Sequence, residues 1–337
     1  MLTRRQLLAA PLLLSACGRS EVARDRPLFV ADAHPAEYPT VQALFAIDRI
    51  LAERTGGEMR VRVYSGGQLG SEAETLEITV FGGLDMNRVN LAPLNSIVPE
   101  TLVLALPFLF RDTNHLRAAL DGAPGKKILQ SMVPHGLRGL CYYDSGGRSF
   151  YNTRRPIYTP DDLRGMKIRV QNSDIYVAMV QALGGNPTPI PYAEVYQALV
   201  QGVVDGAENN WPSYESSRHF EVARHYSLTR HVLAPEVLVA SERTWERLDE
   251  QQRSNLQAAV DESVLVMRKL WDQRVTDARR RVLESGIELV EEVDHEAFVE
   301  RMLPVWDRFL TTPELRDLAQ QVVDIAPGSS PVAAQDG

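Results

Sequence analysis

One helical pattern near the C-terminal end sets the scale of the whole molecule. From Asp249 to Ser285, Leu256, Val260, Val264, Met267, Trp271, Val275 and Val282 keep an apolar stripe at helical spacing. Asp249 with Gln252 three residues later has the form of a capping box, and Gly286 is a stop. At 1.5 Å per residue such a helix is roughly 55 Å long, more than one small domain is wide. It lacks coiled-coil heptads and is expected to cross both domains of a two-domain chain.

The preceding sequence supplies those domains. Leu28–Ala33 reads as a strand, Tyr38–Thr55 as an amphipathic helix stopped by Gly56-Gly57, and Met59–Tyr64 as a second strand. A Gly66–Gly70 turn leads into a helix from Ser71 to about Phe81, followed by a strand over Leu84–Leu91. That alternation predicts an α/β fold with a largely parallel sheet. After Gly146 the pattern returns, with strands at Ser149–Asn152 and Met166–Val170 and helices at Ser173–Leu183 and Glu194–Gln201. A short strand follows Val203, and another is expected at Val237–Ser241. The last helices are placed at Asp294–Phe309 and Pro313–Asp324. The expected division is 27–145 with 234–274 as one domain and 146–233 with 275–326 as the other. The Gly/Ser/Pro/Ala-rich stretch 327–337 reads as a disordered tail.

Residues 1–26 are expected to be a targeting segment and tether rather than part of the fold. Met1-Leu-Thr-Arg-Arg is a short basic region, and Leu7–Leu14 is apolar but too short to span a membrane. Leu14-Ser-Ala-Cys17 matches the bacterial lipobox, so Cys17 is the expected lipidation site and the mature chain is expected in the periplasm, held to a membrane by lipid alone. Arg4-Arg5 leaves twin-arginine export open beside the general route. Cys141, the other cysteine, sits in an apolar strand-like run and reads as an inert buried thiol. The net charge of −8 does not suit nucleic acid, and any anion site must be built from local arginines.

Enzyme signatures are missing: there is no nucleophile elbow, zinc-protease helix, P-loop or dinucleotide fingerprint. His219, His225 and His231 recur every six residues, which is not a ligand spacing, and they are expected in separate turns rather than on a metal. Glu72 with Glu74, and Asp161 with Asp162, stand near helix starts, where acids usually cap. The arginines are more informative. Arg148 follows Asp144-Ser-Gly-Gly, and Arg169 lies in Met166-Lys-Ile-Arg-Val170. Two guanidinium forks converging on one pocket would grip a carboxylate. From spacing alone, Arg169 fits a pocket or a solvent-facing position on an edge strand equally well.

Several motifs then occur in a specific order: Gln68-Leu-Gly70, Pro107-Phe-Leu-Phe110, Gly147-Arg-Ser-Phe-Tyr-Asn152, Pro160-Asp-Asp-Leu-Arg-Gly-Met-Lys-Ile-Arg-Val170, Pro187-Thr-Pro189, Glu194-Val-Tyr-x-Ala-Leu199 and Val204-Asp-Gly-Ala-Glu-Asn209. Through them, Leu28 to Asp324 resembles the DctP-type solute-binding proteins of tripartite ATP-independent periplasmic (TRAP) transporters. The resemblance implies a periplasmic-binding-protein-like fold, two α/β domains flanking a cleft, and a long helix spanning both. It implies that Arg169 holds a ligand carboxylate with help from Arg148 and Asn209, without chemistry or cofactor, and that the closed protein delivers the ligand to a membrane permease. By the same resemblance His34, Glu72, Arg88, Asn90, Asp144 and Asn172 line the cleft, and Tyr192, near the second-domain helix, could supply an apolar or stacking face.

This set holds donors and acceptors. Ionised Glu72 and Asp144 can only accept hydrogen bonds, so they call for hydroxyls. The three arginines exceed the two carboxylates by one charge with His34 neutral, which suits a sugar acid with one carboxylate. The segments Ala33-His-Pro-x-x-Tyr-Pro-Thr40, Arg88-Val-Asn90, Tyr143-Asp-Ser-Gly-x-Arg148 and Ala207–Tyr214 are also similar to the members that take the hexuronic acids glucuronate and galacturonate. An aldonate, a hydroxy acid or a dicarboxylate on the same fold, and an enzyme acting on sugar acids, stay open at this stage. Structural roles also stay open for His34, as the cap of a turn, and for Glu72, as a helix cap.

Overall fold

The computed structural model describes residues 26–326. Residues 1–25 of the expected targeting segment and tether, Cys17 among them, and the expected tail over 327–337 lie outside the described residues, whereas Arg26, expected in the tether, is described and paired with Asp85 at 2.5 Å. Nine strands form one continuous sheet: β1 (Leu28–Ala31), β2 (Val61–Tyr64), β3 (Met86–Asn90), β4 (Leu137–Asn152), β5 (Lys167–Val170), β6 (Asn186–Pro189), β7 (Gly206–Asn209), β8 (His225–Ser241) and β9 (Glu288–Val290). Their order is β2-β1-β3-β8-β4-β7-β5-β6, with β9 beside β8.

The two wings of this sheet are parallel, as the alternation of strands and helices requires. β1 pairs with β2 and β3, and β5 pairs with β6 and β7. Their joint is antiparallel, which the expected largely parallel sheet did not include. β4 has 16 residues and β8 has 17, and they pair along most of their length, with β3 and β7 antiparallel on either side. In sequence these strands look like fragments, because Gly146-Gly147 and Pro235 interrupt them. The ladder absorbs the interruptions as register shifts, one of them between Asp144 and Gly147. At Gly146 φ is +62°, and an added Cβ would lie 3.1 Å from the Trp271 indole, so both backbone and space favour glycine there. The histidine expectation is corrected with the strand: His225 and His231 belong to β8, and only His219 sits in a short turn.

Smaller differences have similar causes. β6 contains Pro187 and Pro189 and is an edge strand, where missing N–H groups cost least. Helices over Thr113–Asp121 and Ala123–Ser131 fill a region the periodicity left unassigned.

The long helix runs Glu250–Glu284 with both halves of the Asp249/Gln252 capping box formed. Its stripe serves two cores. Leu256, Val260, Met267 and Trp271 pack with Tyr38, Leu44, Ile47 and Leu140, while Ala278 and Val282 pack with Tyr151, Val204 and Tyr226. Burying each large apolar side chain contributes about 1.5–3 kcal/mol, so the helix ties the two wings together along its length. No helix among the described residues is long and apolar enough to cross a membrane.

Candidate functional site

A cleft of about 580 Å³ lies between the wings. One wall comes from the loop after β1 (His34), the start of the helix Glu72–Val80 (Glu72) and the end of β3 (Asn90). The other comes from β5 (Arg169), the loops after β5 and β6 (Asn172, Tyr192) and the end of β7 (Asn209), while Arg148 on β4 stands between them. β3 and β5 are four places apart in the sheet. At about 4.8 Å per strand, the two walls begin roughly 19 Å apart.

The three arginines of this region differ sharply in how their charge is met. Arg148 is 1% exposed and saturated. Its Nε and Nη2 donate to the Glu208 carboxylate, Nη2 also to the Glu208 carbonyl, and Nη1 to Asn209 Oδ1 at 2.9 Å. The Gln171 amide, turned oxygen-first, lies 3.1 Å from both terminal nitrogens. Burial pulls the Arg148 guanidinium down, but Glu208 more than offsets it and the net shift is upward. Glu208 is in turn held at about 2, against the effect of burial, by Arg148 and His231.

Arg88 is fully buried and set back from the cleft. It pairs with Asp32, with Glu72 at 3.0 Å and with Glu236 at 3.1 Å. Asp32 is also hydrogen-bonded by the His34 and Thr40 side chains. Although burial pushes the Asp32 carboxyl up, Arg88 and His34 hold it well below the usual carboxylate range. Glu72 does not cap its helix; Ser71 and Glu74 form that box. Its carboxylate instead accepts from Arg88 Nη1, the Asn90 backbone N–H and the Asn90 amide.

Arg169 has no such partner. It is 4% exposed, on an interior strand rather than an edge, and Nε donates to the Ile190 carbonyl at 2.8 Å. Among the described residues its two terminal nitrogens make no hydrogen bond and no ion pair. Burial lowers the guanidinium from its ordinary value, and the more distant Glu208 does not make up the loss. An arginine remains a cation under such shifts, so the wall carries a desolvated positive fork facing the cleft.

Of the remaining expected residues, Asn209 lines the cleft; its oxygen is used by Arg148 and the Asn210 N–H. Its amide nitrogen has no partner among the described residues. His34 stacks on Tyr38 at 3.9 Å, and the Tyr192 ring stands 5.3 Å from it across the cleft. Asn172 lies exposed on the wall. Asp144 does not reach the cleft. β4 turns it toward the long helix, where Arg117 pairs with it at 2.5 Å and Arg268 lies 3.8 Å away, and the next residue, Ser145, takes the wall.

The second acid of the cleft is Glu236 on β8, which sequence reasoning missed. It is 1% exposed, and its Oε2 has no hydrogen-bond partner among the described residues. Burial pushes its carboxyl up despite the pull of Arg88 and His34. The available signal was a single acid inside the apolar run Leu233–Ala240, where an unpaired charge is costly. The charge balance changes accordingly. The Arg169 end is positive, Arg148 is neutralised, and the Arg88 end is acidic, with Asp32, Glu72 and Glu236 around one guanidinium.

His219 lies behind the Arg169 wall, with Nδ1 2.8 Å from the Tyr151 hydroxyl. Burial, aided by the charge of Arg169, pushes its imidazole down to about 3. An unfolded histidine titrates near about 6.5. Between those values the unfolded chain binds the extra proton, so stability falls with falling pH by about 1.4 kcal/mol per unit from this group. In urea unfolding between pH 4 and 6, His219→Gln is expected to lose roughly one proton of that dependence.

Residues 30–312 match the family DctP, bacterial extracellular solute-binding protein, family 7. A TRAP periplasmic solute-binding protein from Bradyrhizobium sp. BTAi1, solved in complex with α/β-D-galacturonate, is 50% identical. It superposes with a TM-score of 0.87 over 89% of this chain and 100% of its own. One from Chromohalobacter salexigens with bound D-glucuronate is 40% identical, with a TM-score of 0.86 over 88% of this chain and 99% of its own. A third, from Polaromonas sp. JS666 and bound to D-erythronate, is 30% identical, with a TM-score of 0.85 over 88% and 98% of the two chains. The chain belongs to the DctP family of bacterial extracellular solute-binding proteins.

Proposed function

We propose that this protein captures a hexuronate, D-galacturonate or D-glucuronate, and releases it chemically unchanged. The observation that carries the reading is Arg169: a buried guanidinium with its fork facing a cleft and no carboxylate of the protein to meet it. A ligand carboxylate completes it through two charge-assisted bonds. Asn209 supplies a further donor at that end. The acidic end around Glu72 and Glu236 accepts from ring hydroxyls and disfavours a second carboxylate. The sugars bound to two relatives, galacturonate and glucuronate, each combine one carboxylate with several hydroxyls.

Capture couples to movement of two domains, 27–145 with 234–274 and 146–233 with 275–326. The ligand touches both walls, so its affinity for the closed arrangement draws the two together. Tyr38 Oη with Ser213 Oγ, and Asn95 Nδ2 with Ser173 Oγ, each at 2.8 Å, are contacts between them in the present arrangement. The closed form hands the sugar acid to TRAP permease subunits from the periplasmic side, with the chain tethered to the membrane by lipid on Cys17.

A melting-temperature screen tests the reading. D-galacturonate or D-glucuronate at a hundred times Kd is expected to stabilise the fold by about 2.7 kcal/mol. The sugar recovered afterwards should give an unchanged NMR spectrum. Turnover would refute capture without chemistry, and stabilisation by C4-dicarboxylates alone would refute the hexuronate assignment.

A further inference from the structure

The geometry points to a second reader in the cleft: Glu236 and Glu72 together clamp neighbouring hydroxyls of the ligand, and Glu236 sets the preference for a hydroxylated end over a second carboxylate. This inference rests on the sugar-acid reading given above and deepens it. Both residues line the cleft, and both place a carboxylate oxygen beside the same atom, Arg88 Nη1, at 3.0 Å for Glu72 Oε1 and 3.1 Å for Glu236 Oε2. One guanidinium nitrogen therefore holds the two oxygens as neighbours. They are not equally occupied. Glu72 already accepts from Arg88 and from Asn90, whereas Glu236 Oε2 lies near Arg88 without a hydrogen bond.

Glu236 Oε2 is enclosed beside Arg88, so the oxygen left for the cleft is Oε1, which accepts no hydrogen bond among the described residues and which a ligand hydroxyl can satisfy. An ionised carboxylate cannot donate, so the complementary group is a hydroxyl and not another carboxylate. Glu72 Oε1 is filled by Arg88 and Asn90, so the acceptors with capacity are Glu72 Oε2 and Glu236 Oε1, the outer oxygens of two carboxylates joined through Arg88, and they suit two adjacent hydroxyls, as on a pyranose ring. Arg88 is already shared with Asp32, so it has little capacity to neutralise a further anion there. An acid with carboxylates at both ends would satisfy Arg169 and meet Glu72 and Glu236 as like charges.

The test is isothermal titration of D-galacturonate and of galactarate, the same carbon chain with a carboxylate at each end. Each is titrated into the wild-type protein, Glu236→Gln and Glu236→Asp. The wild type is expected to prefer galacturonate by at least about a hundredfold, because galactarate is open-chain and because its second carboxylate meets Glu72 and Glu236 as like charge; the part due to charge is what Glu236→Gln removes. Glu236→Gln keeps the size but not the charge. It should weaken galacturonate by about ten- to a hundredfold and narrow the gap to galactarate. Glu236→Asp keeps the charge but shortens the reach, so galacturonate should weaken while the gap remains. Thermal melts of the ligand-free variants confirm folding, and one that folds suffices because each makes its own prediction. Wild-type binding of galacturonate with both its affinity and the gap unchanged in Glu236→Gln would overturn the clamp and leave the hexuronate reading standing. A wild type that binds no hexuronate would overturn both.

Discussion

Arg169→Met is expected to lose D-galacturonate binding by about a hundred- to ten-thousandfold, measured by isothermal titration. Two hydrogen bonds to a charged group, each at about 1.5–3 kcal/mol, give that range. Arg169→Lys should restore only a small part, because an ammonium is a point charge without the planar fork. The same substitution has an unusual stability signature. In the ligand-free protein the guanidinium is desolvated and has one backbone acceptor, so its removal takes away a cost as well as a contact. Urea unfolding of ligand-free Arg169→Met should therefore give a stability equal to or above the wild type. A loss of more than about 2 kcal/mol, typical of a broken buried network, would identify Arg169 as a structural cation instead.

Arg88→Met should behave in the opposite way. Arg88 is fully buried among Asp32, Glu72 and Glu236, and removing it leaves three carboxylates without their cation. Breaking buried ion pairs from one side typically costs about 3–5 kcal/mol, and that loss is expected at neutral pH. The pH dependence should also change sign locally. In the wild type Asp32 is held low, so its contribution is complete above the unfolded carboxylate value and is lost as pH falls through the folded one. Without Arg88, burial dominates and the folded values of these acids rise above the unfolded ones. The folded state then binds the extra protons, and the variant should regain stability as pH falls from 7 toward 5. Parallel pH profiles of variant and wild type, read by urea unfolding, would contradict the assignment of Arg88 as the shared counter-ion.

These two arginines also show how far the sequence can be read. Helical periodicity and the Asp249/Gln252 cap located the long helix to within a residue at each end, because both are local properties. The parallel wings were legible for the same reason. The antiparallel β4/β8 joint was not, because its strands pair with partners distant in sequence and carry glycine and proline interruptions that look like boundaries. At the site, motif order singled out Arg169, but only burial and the list of its partners show that its charge is unmet. Asp144 and Glu236 exchanged roles for a reason no local pattern reveals. Which side of β4 faces the cleft depends on the irregular ladder between Asp144 and Gly147, and Arg117 and Arg268 arrive from elements far along the chain. Glu208, within the Asp205–Asn209 motif, was visible as a residue but not as the partner that neutralises Arg148.

On the proposed reading, the desolvated Arg169 guanidinium meets a carboxylate at one end of the cleft and the other end takes hydroxyls. Isothermal titration of D-galacturonate against D-galactose tests it most directly, because the two share a ring and differ where a carboxylate replaces a hydroxymethyl group. Galacturonate is expected to bind at least about a thousandfold more tightly, since galactose would leave the Arg169 fork buried and unpaired. Equal affinities for the two sugars, or a preference for galactose, would show that Arg169 does not hold a ligand carboxylate.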